Sequence, residues 1–283
     1  MIPSAVSTWL AEQGYRDVEN SRPVGGGCIN NGVALQTTSG KSFFLKTNPH
    51  APSEMFEREA EGLTALNQPD APRIPQVYLV GSDFLLLEDL NPTKPAKDYW
   101  ASFGQQLARL HLKTHPQFGF DSDNYIGSTP QINFWTEDGY EFFGQHRLLY
   151  QAKLAKSNRY FDGKELRKTE AFIKRLPDLV PAQLASLIHG DLWKGNAISD
   201  ENGQPALIDP ATHYGWAEAE MAMTALFGGF PSEFYAAYED GNPLEPGWRE
   251  RFPIYNLYHL LNHLNLFGMG YHLQVISILN QYT

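Results

Sequence analysis

Apolar positions along this chain change their period near residue 90. Before it, Val33-Ala34-Leu35-Gln36-Thr37 and Ser42-Phe43-Phe44-Leu45-Lys46 flank a Ser39-Gly40 turn and predict a hairpin. Ser53 is placed to cap a helix in which Phe56, Ala60, Leu63 and Leu66 recur at spacings of three and four. Two further apolar runs, Gln76 to Gly81 and Phe84 to Glu88, are joined by Ser82-Asp83. The expected order is three strands, one helix, then two strands. Asn91-Pro92-Thr93-Lys94-Pro95 interrupts both helix and strand. Beyond it, Tyr99, Phe103, Leu107 and Leu110 mark one face of a helix from Asp98 to Leu112. A long loop is expected from Thr114 to Asn133 and a helix from Phe134 to Ala155. Short strands flank Asn202-Gly203, and amphipathic helices close the chain from about Ala217. The pattern predicts an α+β protein of two lobes: residues 1–90, small and β-rich with one main helix, and residues 91–283, larger and mostly helical. Ligands tend to bind between such lobes.

Composition narrows the function classes. Of 283 residues, 42% are hydrophobic and 19% charged, the balance of an ordinary globular chain. Ten more acidic than basic side chains, with no basic stripe, argue against a nucleic-acid partner. Cys28 is the only cysteine, so an internal disulfide and a cysteine-rich metal site are excluded. Met1-Ile2-Pro3-Ser4 does not read as a signal peptide, and no apolar run approaches the roughly 20 residues of a membrane span. A cytoplasmic protein without a membrane partner is expected.

Candidate chemistry centres on Leu187-Ile188-His189-Gly190-Asp191-Leu192-Trp193-Lys194-Gly195-Asn196, followed by Ala206-Leu207-Ile208-Asp209-Pro210. Single Asp and Asn residues usually sit in turns. The ordered set, with strands on both sides, points to phosphoryl transfer. That reaction needs a carboxylate for the attacking hydroxyl, here Asp191, and oxygen ligands for Mg²⁺ on ATP, here Asn196 and Asp209. A kinase also needs a glycine-rich turn, a lysine on the third strand and a glutamate on the next helix. Gly25, Gly26, Gly27 and Cys28 supply the turn, Lys46 the lysine and Glu59 the acid, with Glu61 as a rival. Glu88, Asp89 and Leu90 lie where adenine would pair with backbone between the lobes. Gly40-Lys41-Ser42 is no Walker loop, because Leu35 replaces its first glycine. His259 and His263 share a helical face, but Leu260 stands where a metalloprotease needs Glu, so a structural or substrate-pocket role is expected. His111 and His189 read as structural hydrogen-bonders.

Longer strings add a resemblance. They are Phe118-Gly119-Phe120, then Asp123-Asn124-Tyr125-Ile126-Gly127-Ser128-Thr129-Pro130-Gln131 with Asn133 and Trp135, Leu192-Trp193, Leu226-Phe227-Gly228-Gly229-Phe230, and Tyr258 to Gly268. With these the chain resembles, over nearly its whole length, the fructosamine kinase (ketosamine 3-kinase) family, a branch of the aminoglycoside-phosphotransferase and choline-kinase-like fold. The resemblance implies a protein-kinase-like fold and ATP- and Mg²⁺-dependent phosphorylation of the 3-hydroxyl of ketosamines, small or protein-bound. The 3-phosphate then decomposes and releases the amine, so the implied role is deglycation. By position, Lys46 and Glu59 match the nucleotide-anchoring pair, Asp191 the base, and Asn196 and Asp209 the magnesium ligands. Trp193, Tyr214, His263 and Asn265 fall where the substrate pocket is expected.

Two positions depart from the family pattern. Ala217 replaces an arginine, and Glu220 replaces the aspartate that braces the catalytic loop; its extra methylene should still let it reach. Cys28 beside three glycines raises a monomer or a redox-dependent dimer as alternative states. A kinase for another hydroxylated amine, such as an aminoglycoside or aminoalcohol, is the rival activity, and its cationic substrate would suit the acidic charge equally. A nucleotide-binding pseudokinase is the non-enzymatic rival, opposed by the complete set of five polar residues.

Overall fold

A helix that the apolar pattern did not announce opens the chain. The computed structural model describes residues 2–15, 17–25 and 29–283. Val6 and Leu10, one turn apart, bury α1 (Ser4–Glu12) against the sheet that follows. That sheet contains β1 (Val18–Val24), β2 (Asn31–Thr37), β3 (Ser42–Thr47), and, after α2 (Met55–Leu66), β4 (Val77–Gly81) and β5 (Phe84–Glu88). Its order is β1-β2-β3-β5-β4, with every neighbouring pair antiparallel. Alternation along β5 divides its side chains between two cores. Phe84 and Leu86 join Leu35, Phe43 and Leu45 beneath α1, while Leu85 and Leu87 join Phe56, Leu63 and Leu66 of α2. Both faces of the sheet are covered at β3 and β5, which explains their nearly continuous apolar runs, while β1 is largely exposed and polar.

One expectation here needs correction. Ser53 does not cap α2: Glu54, at φ 60°, holds the cap position without a side-chain capping bond, and the Ser53 carbonyl accepts from the Tyr125 hydroxyl at 2.9 Å. Tertiary contact has taken over from local capping.

Beyond the proline-rich segment comes α3 (Tyr99–His111) and then β6 (Thr114–His115). The expected loop over 114–133 contains a hairpin, β7 (Asn124–Ile126) with β8 (Thr129–Gln131). Three-residue strands are too short for alternation to reveal them. The next helix begins at Gly139, not Phe134, because Asp138 accepts from the amides of Tyr140 and Glu141 and caps it. It runs as α4 (Gly139–Glu141), a π-helix over Phe142–Leu149, and α5 (Tyr150–Ser157). An unanticipated α6 (Gly163–Leu179) follows, with an Asp162/Glu165 capping box that was legible in the sequence. Strands β9 (Ala185–Ile188), β10 (Ala197–Ser199), β11 (Pro205–Leu207) and β12 (His213–Gly215) lead to α7 (Ala217–Leu226), α8 (Ser232–Gly241), α9 (Phe252–Phe267) and α10 (His272–Tyr282). β10 pairs with β11 around Asn202-Gly203, and β12-β9-β6 forms a second antiparallel sheet. No helix among the described residues is long and apolar enough to cross a membrane.

Two connections tie the sheet to the helical part. One buried cluster runs from Phe56 and Leu63 of α2 through Leu85 and Leu87 to Phe103 and Leu107 of α3 and Phe234 and Tyr238 of α8. Arg73, between α2 and β4, exchanges backbone hydrogen bonds with Pro205 (3.0 Å) and Leu207 (2.9 Å). Its guanidinium reaches Glu88 at 2.7 Å, Asp200 at 3.0 Å and Glu201 at 2.6 Å, joining β5 to the β10–β11 hairpin.

Gly62 sets how closely α2 approaches the chain after Asp209, since a Cβ there would lie 2.8 Å from Thr212 Oγ1. Gly62→Ala should therefore cost about 1–3 kcal/mol by overpacking, despite its better helix propensity, when read by chemical denaturation. A gain in stability would show that the contact is slack.

Candidate active site

Lys46 lies on β3, bonded on either side to β2 and β5, so its Cα is fixed by the middle of the sheet. Its buried Nζ stands 2.5 Å from Glu59 Oε1 on α2 and 2.7 Å from Asp209 Oδ1 beyond β11. Burial alone would lower the lysine pKa, but the two carboxylates outweigh it and hold the group above its ordinary value. Burial pushes Glu59 up, and the Lys46 ammonium opposes that. Glu61 is excluded from this role because it pairs with Arg58 at 2.8 Å.

The Asp191 loop leaves β9 through His189 and Gly190. Gly190 has φ +83°, and a Cβ on it would collide with the Ala211 carbonyl, so glycine is required. Buried His189 donates through Nε2 to the Ile208 carbonyl at 2.8 Å and accepts from the Asp191 amide at 3.3 Å. Desolvation lowers its pKa and keeps it neutral, consistent with the expected structural role. Glu220 takes the bracing position: Oε1 accepts from the Gly190 amide at 2.7 Å, and Oε2 from the His189 amide at 2.9 Å and His111 Nε2 at 3.0 Å. The extra methylene reaches. His111 is held in turn by the Tyr238 hydroxyl at 2.7 Å.

Asn196 donates from Nδ2 to the Asp191 carbonyl (2.8 Å) and to Asp191 Oδ2 (3.3 Å), which leaves its own carbonyl oxygen to point elsewhere. Burial, then the negative charge of Asp209, pushes Asp191 up from 3.8 to about 7, against the Asn196 hydrogen bond. Asp209 occupies the left-handed region at φ 58° and is partly open to solvent. Asp191, Asn196, Asp209, Lys46 and Glu59 are thus gathered in one place from β3, α2 and the loops after β9 and β11.

The other predicted positions divide. Gly25 is at the end of β1, while Gly26, Gly27 and Cys28 lie outside the described residues. Glu88 is engaged by Arg73, and Asp89 accepts from the Asn91 amide at 2.9 Å. Leu90 is buried, and among the described residues its backbone N–H and C=O find no protein partner. Trp193 lies across Gly195 and meets Phe227 edge-on at 6.2 Å, and Phe227 lies 4.7 Å from His263. His263 Nδ1 bonds the His259 carbonyl at 2.8 Å, which fixes the His263 ring against α9. Tyr214, on β12, groups with His115 (5.1 Å) and Trp135 (6.0 Å). The Asn265 amide is consumed by Gln151 (2.8 Å) and Asn158 (3.1 Å), binding α9 to α5. Phe227 bridges Trp193 and His263, and a lone Phe beside two glycines carries no signal of that role. Arg73 was missed altogether, because a lone arginine between elements carries no periodic signal.

A sequence model of the family described as fructosamine kinase matches residues 2–283. The chain belongs to the fructosamine kinase family. Protein-ribulosamine 3-kinase of rice (Oryza sativa) is 39% identical over 287 residues, covering 98% of this chain and 83% of the rice protein. A crystal structure from Thermobifida fusca, assigned as a fructosamine-3-kinase, is 30% identical with a TM-score of 0.89 and covers 99% of this chain and 98% of its own. Choline kinase LicA of Streptococcus pneumoniae, at 17% identity and TM-score 0.66 over 99% of each chain, shares the fold alone. The architecture is therefore the two-lobed protein-kinase-like α+β fold, in its fructosamine kinase branch.

The raised Asp191 carboxyl gives a signed pH prediction. Between pH 3.8 and about 7 the folded form holds a proton that the unfolded chain has lost, so stability falls as pH rises through that window. Asp191→Asn should stabilise the protein at pH 8 by on the order of 2–4 kcal/mol. An unchanged or lower Tm at pH 8 would contradict the buried carboxylate. Glu220→Ala leaves two buried amides without an acceptor and should destabilise by about 2–5 kcal/mol, measured by denaturant titration.

Proposed function

We propose that this protein transfers the γ-phosphoryl group of ATP to the 3-hydroxyl of a ketosamine, the rearranged adduct of a sugar with an amine, free or on a protein lysine. The observation that carries the reading is the meeting of Lys46, Glu59 and Asp209 with a base of raised pKa, Asp191, in a member of the fructosamine kinase family. In this division of labour, residues 1–90 hold the nucleotide and residues 91–283 carry the base and the substrate wall.

Each group has one task. Lys46, oriented by Glu59, meets the α/β-phosphates, with the Gly25, Gly26, Gly27 and Cys28 turn over them. Glu88, Asp89 and Leu90 take adenine, for which the unpartnered Leu90 backbone offers one donor and one acceptor. Asp191 orients the sugar hydroxyl and receives its proton as the hydroxyl oxygen bonds to phosphorus and the bond to the ADP oxygen breaks. Burial suits Asp191 to this role, since a base with pKa near 7 accepts a proton readily at neutral pH. The Trp193, Phe227 and His263 aromatics offer an apolar wall for the sugar. Tyr214 and Asn265 match the family's substrate-pocket positions and are assigned to the same pocket.

The donors also fit a divalent cation. Asn196 and Asp209 offer only oxygen, and among the described residues no three His, Cys, Asp or Glu side chains converge to hold a metal unaided. Such a pair suits Mg²⁺, which keeps waters and takes substrate phosphates as its remaining ligands. When bound, the ion supplies positive charge against the phosphates.

ADP release on adding fructosyl-lysine or ribulosyl-lysine with Mg-ATP tests the proposal directly. Turnover on at least one sugar should fall roughly 10²–10⁴-fold or more in Asp191→Asn. Equal turnover in that variant, or none on either substrate with ATP bound, would overturn it.

A further inference from the structure

The string from Asp123 to Asn133 has so far had no chemical task, although it is among the most distinctive in the sequence. It builds a buried polar network directly behind Asp209. Gln131 donates from Nε2 to the Ala211 carbonyl (3.0 Å) and to Asn124 Oδ1 (2.8 Å), and its Oε1 accepts from the Tyr258 hydroxyl (2.7 Å). Asn124 donates from Nδ2 to the Thr212 carbonyl at 2.8 Å. Asn133 donates to Asn124 Oδ1 at 3.0 Å and accepts at its own Oδ1 from Arg147 Nη2 at 2.7 Å. Gln131, Asn133 and Arg147 are each 1% exposed, so nothing in water competes for these bonds.

Arg147 gives the network its direction. The guanidinium sits on the π-helix with no carboxylate in salt-bridge reach among the described residues, 4.4 Å over the Phe142 ring. A guanidinium can only donate, so the Asn133 oxygen must face it and the Asn133 amide must face away. Asn124 must then accept from Asn133 and Gln131 and donate to Thr212. Each amide has a single satisfied orientation, and the chain ends on two backbone carbonyls, two and three residues past Asp209.

Asp209 needs such support. Its left-handed φ of 58° is costly for a residue with a side chain and persists only where neighbours over-determine it. On the preceding side the Ile208 amide is bonded to the Asn196 carbonyl at 3.1 Å, and on the following side the Ala211 amide is bonded to the His189 carbonyl at 2.9 Å. On the Ala211 carbonyl Gln131 joins His213 Nδ1 (3.0 Å), and on the Thr212 carbonyl Asn124 is the only side-chain anchor among the described residues.

We propose that Gln131, Asn124 and Asn133, oriented by Arg147 and Tyr258, are positioning residues that hold Asp209 in the geometry that receives the divalent cation on ATP. The cation site is then built before ligands arrive rather than assembled by them. Because Tyr125 of the same segment and the preceding Ser122 also bond Ser53 (2.9 Å) and Arg58 (2.8 Å), the brace fixes α2, and with it Glu59, in one arrangement. This inference rests on the reading of Asp209 as a metal ligand.

Mn²⁺ as a spin probe for the cation separates positioning from mere structure. Mn²⁺ affinity of the ATP complex is measured by electron paramagnetic resonance in Gln131→Met, which keeps the side-chain length but cannot donate, and in Tyr258→Phe, which loses one hydroxyl. Expected is a loss of about tenfold in Gln131→Met and a smaller loss in Tyr258→Phe, with affinity for metal-free ATP changed less than twofold. In turnover, kcat should fall while KM for the ketosamine holds. Asp209→Asn is the reference and should lose Mn²⁺ more strongly than either. If Asp209→Asn binds Mn²⁺ normally, the metal reading and this inference fall together. If Asp209→Asn loses Mn²⁺ but the other two keep wild-type affinity, whatever their Tm, the network is structural only and the inference is overturned. Should Gln131→Met fail to fold, Tyr258→Phe decides alone.

Discussion

A buried ammonium held between two carboxylates from different parts of the chain is the constraint on which this structure turns. Lys46 is carried by the sheet, Glu59 by the helix that covers it, and Asp209 by the loop after β11. Removing an ammonium from water costs several kcal/mol, and only close, well-oriented partners offset that cost. Burial lowers the lysine pKa, and the two carboxylates together outweigh it. The triad therefore requires sheet, α2 and the Asp209 loop to be correctly placed at once. The apolar cluster from α2 to α3 and α8, and the Arg73 connection to the β10–β11 hairpin, supply that placement.

Around the triad, backbone groups are held by buried side chains rather than by regular secondary structure. Glu220 collects the His189 and Gly190 amides, His189 takes the Ile208 carbonyl, and Gln131 and Asn124 take the carbonyls of Ala211 and Thr212. Loops that carry reacting groups have few ladder hydrogen bonds, so their polar backbone atoms must be satisfied individually. Such networks are costly to leave half-made, which rigidifies both loops. The Asp191 carboxyl gains its raised pKa from the same surroundings: it is largely withdrawn from water and faces another carboxylate.

How much of this was legible before folding differs by element. The five central residues could be read because phosphoryl transfer demands particular side chains in a particular order. The strands of the sheet could be read because apolar runs bounded by turns are strong local signals. Helix α1 has too short a stripe, and the β7–β8 hairpin too few residues, for periodicity to show either. Ser53 was a reasonable cap by local chemistry, but the helix starts one residue later, with Glu54 in the left-handed region at the cap position. The neighbours that Tyr214 and Asn265 meet were set by strand pleat and helix packing, which no local pattern carries.

By itself the sequence determined the reaction type that the residues could support, the family, and the order of sheet and helices, since these follow from side-chain chemistry and from short-range patterning. Only the tertiary structure decided that Glu59 rather than Glu61 meets Lys46, that Glu220 still reaches the catalytic loop, and that the amides of residues 124, 131 and 133 converge behind Asp209. The reason is physical. A residue's chemistry is written locally, but its burial, its hydrogen-bond partner and its proton affinity come from groups that the fold brings next to it from elsewhere in the chain.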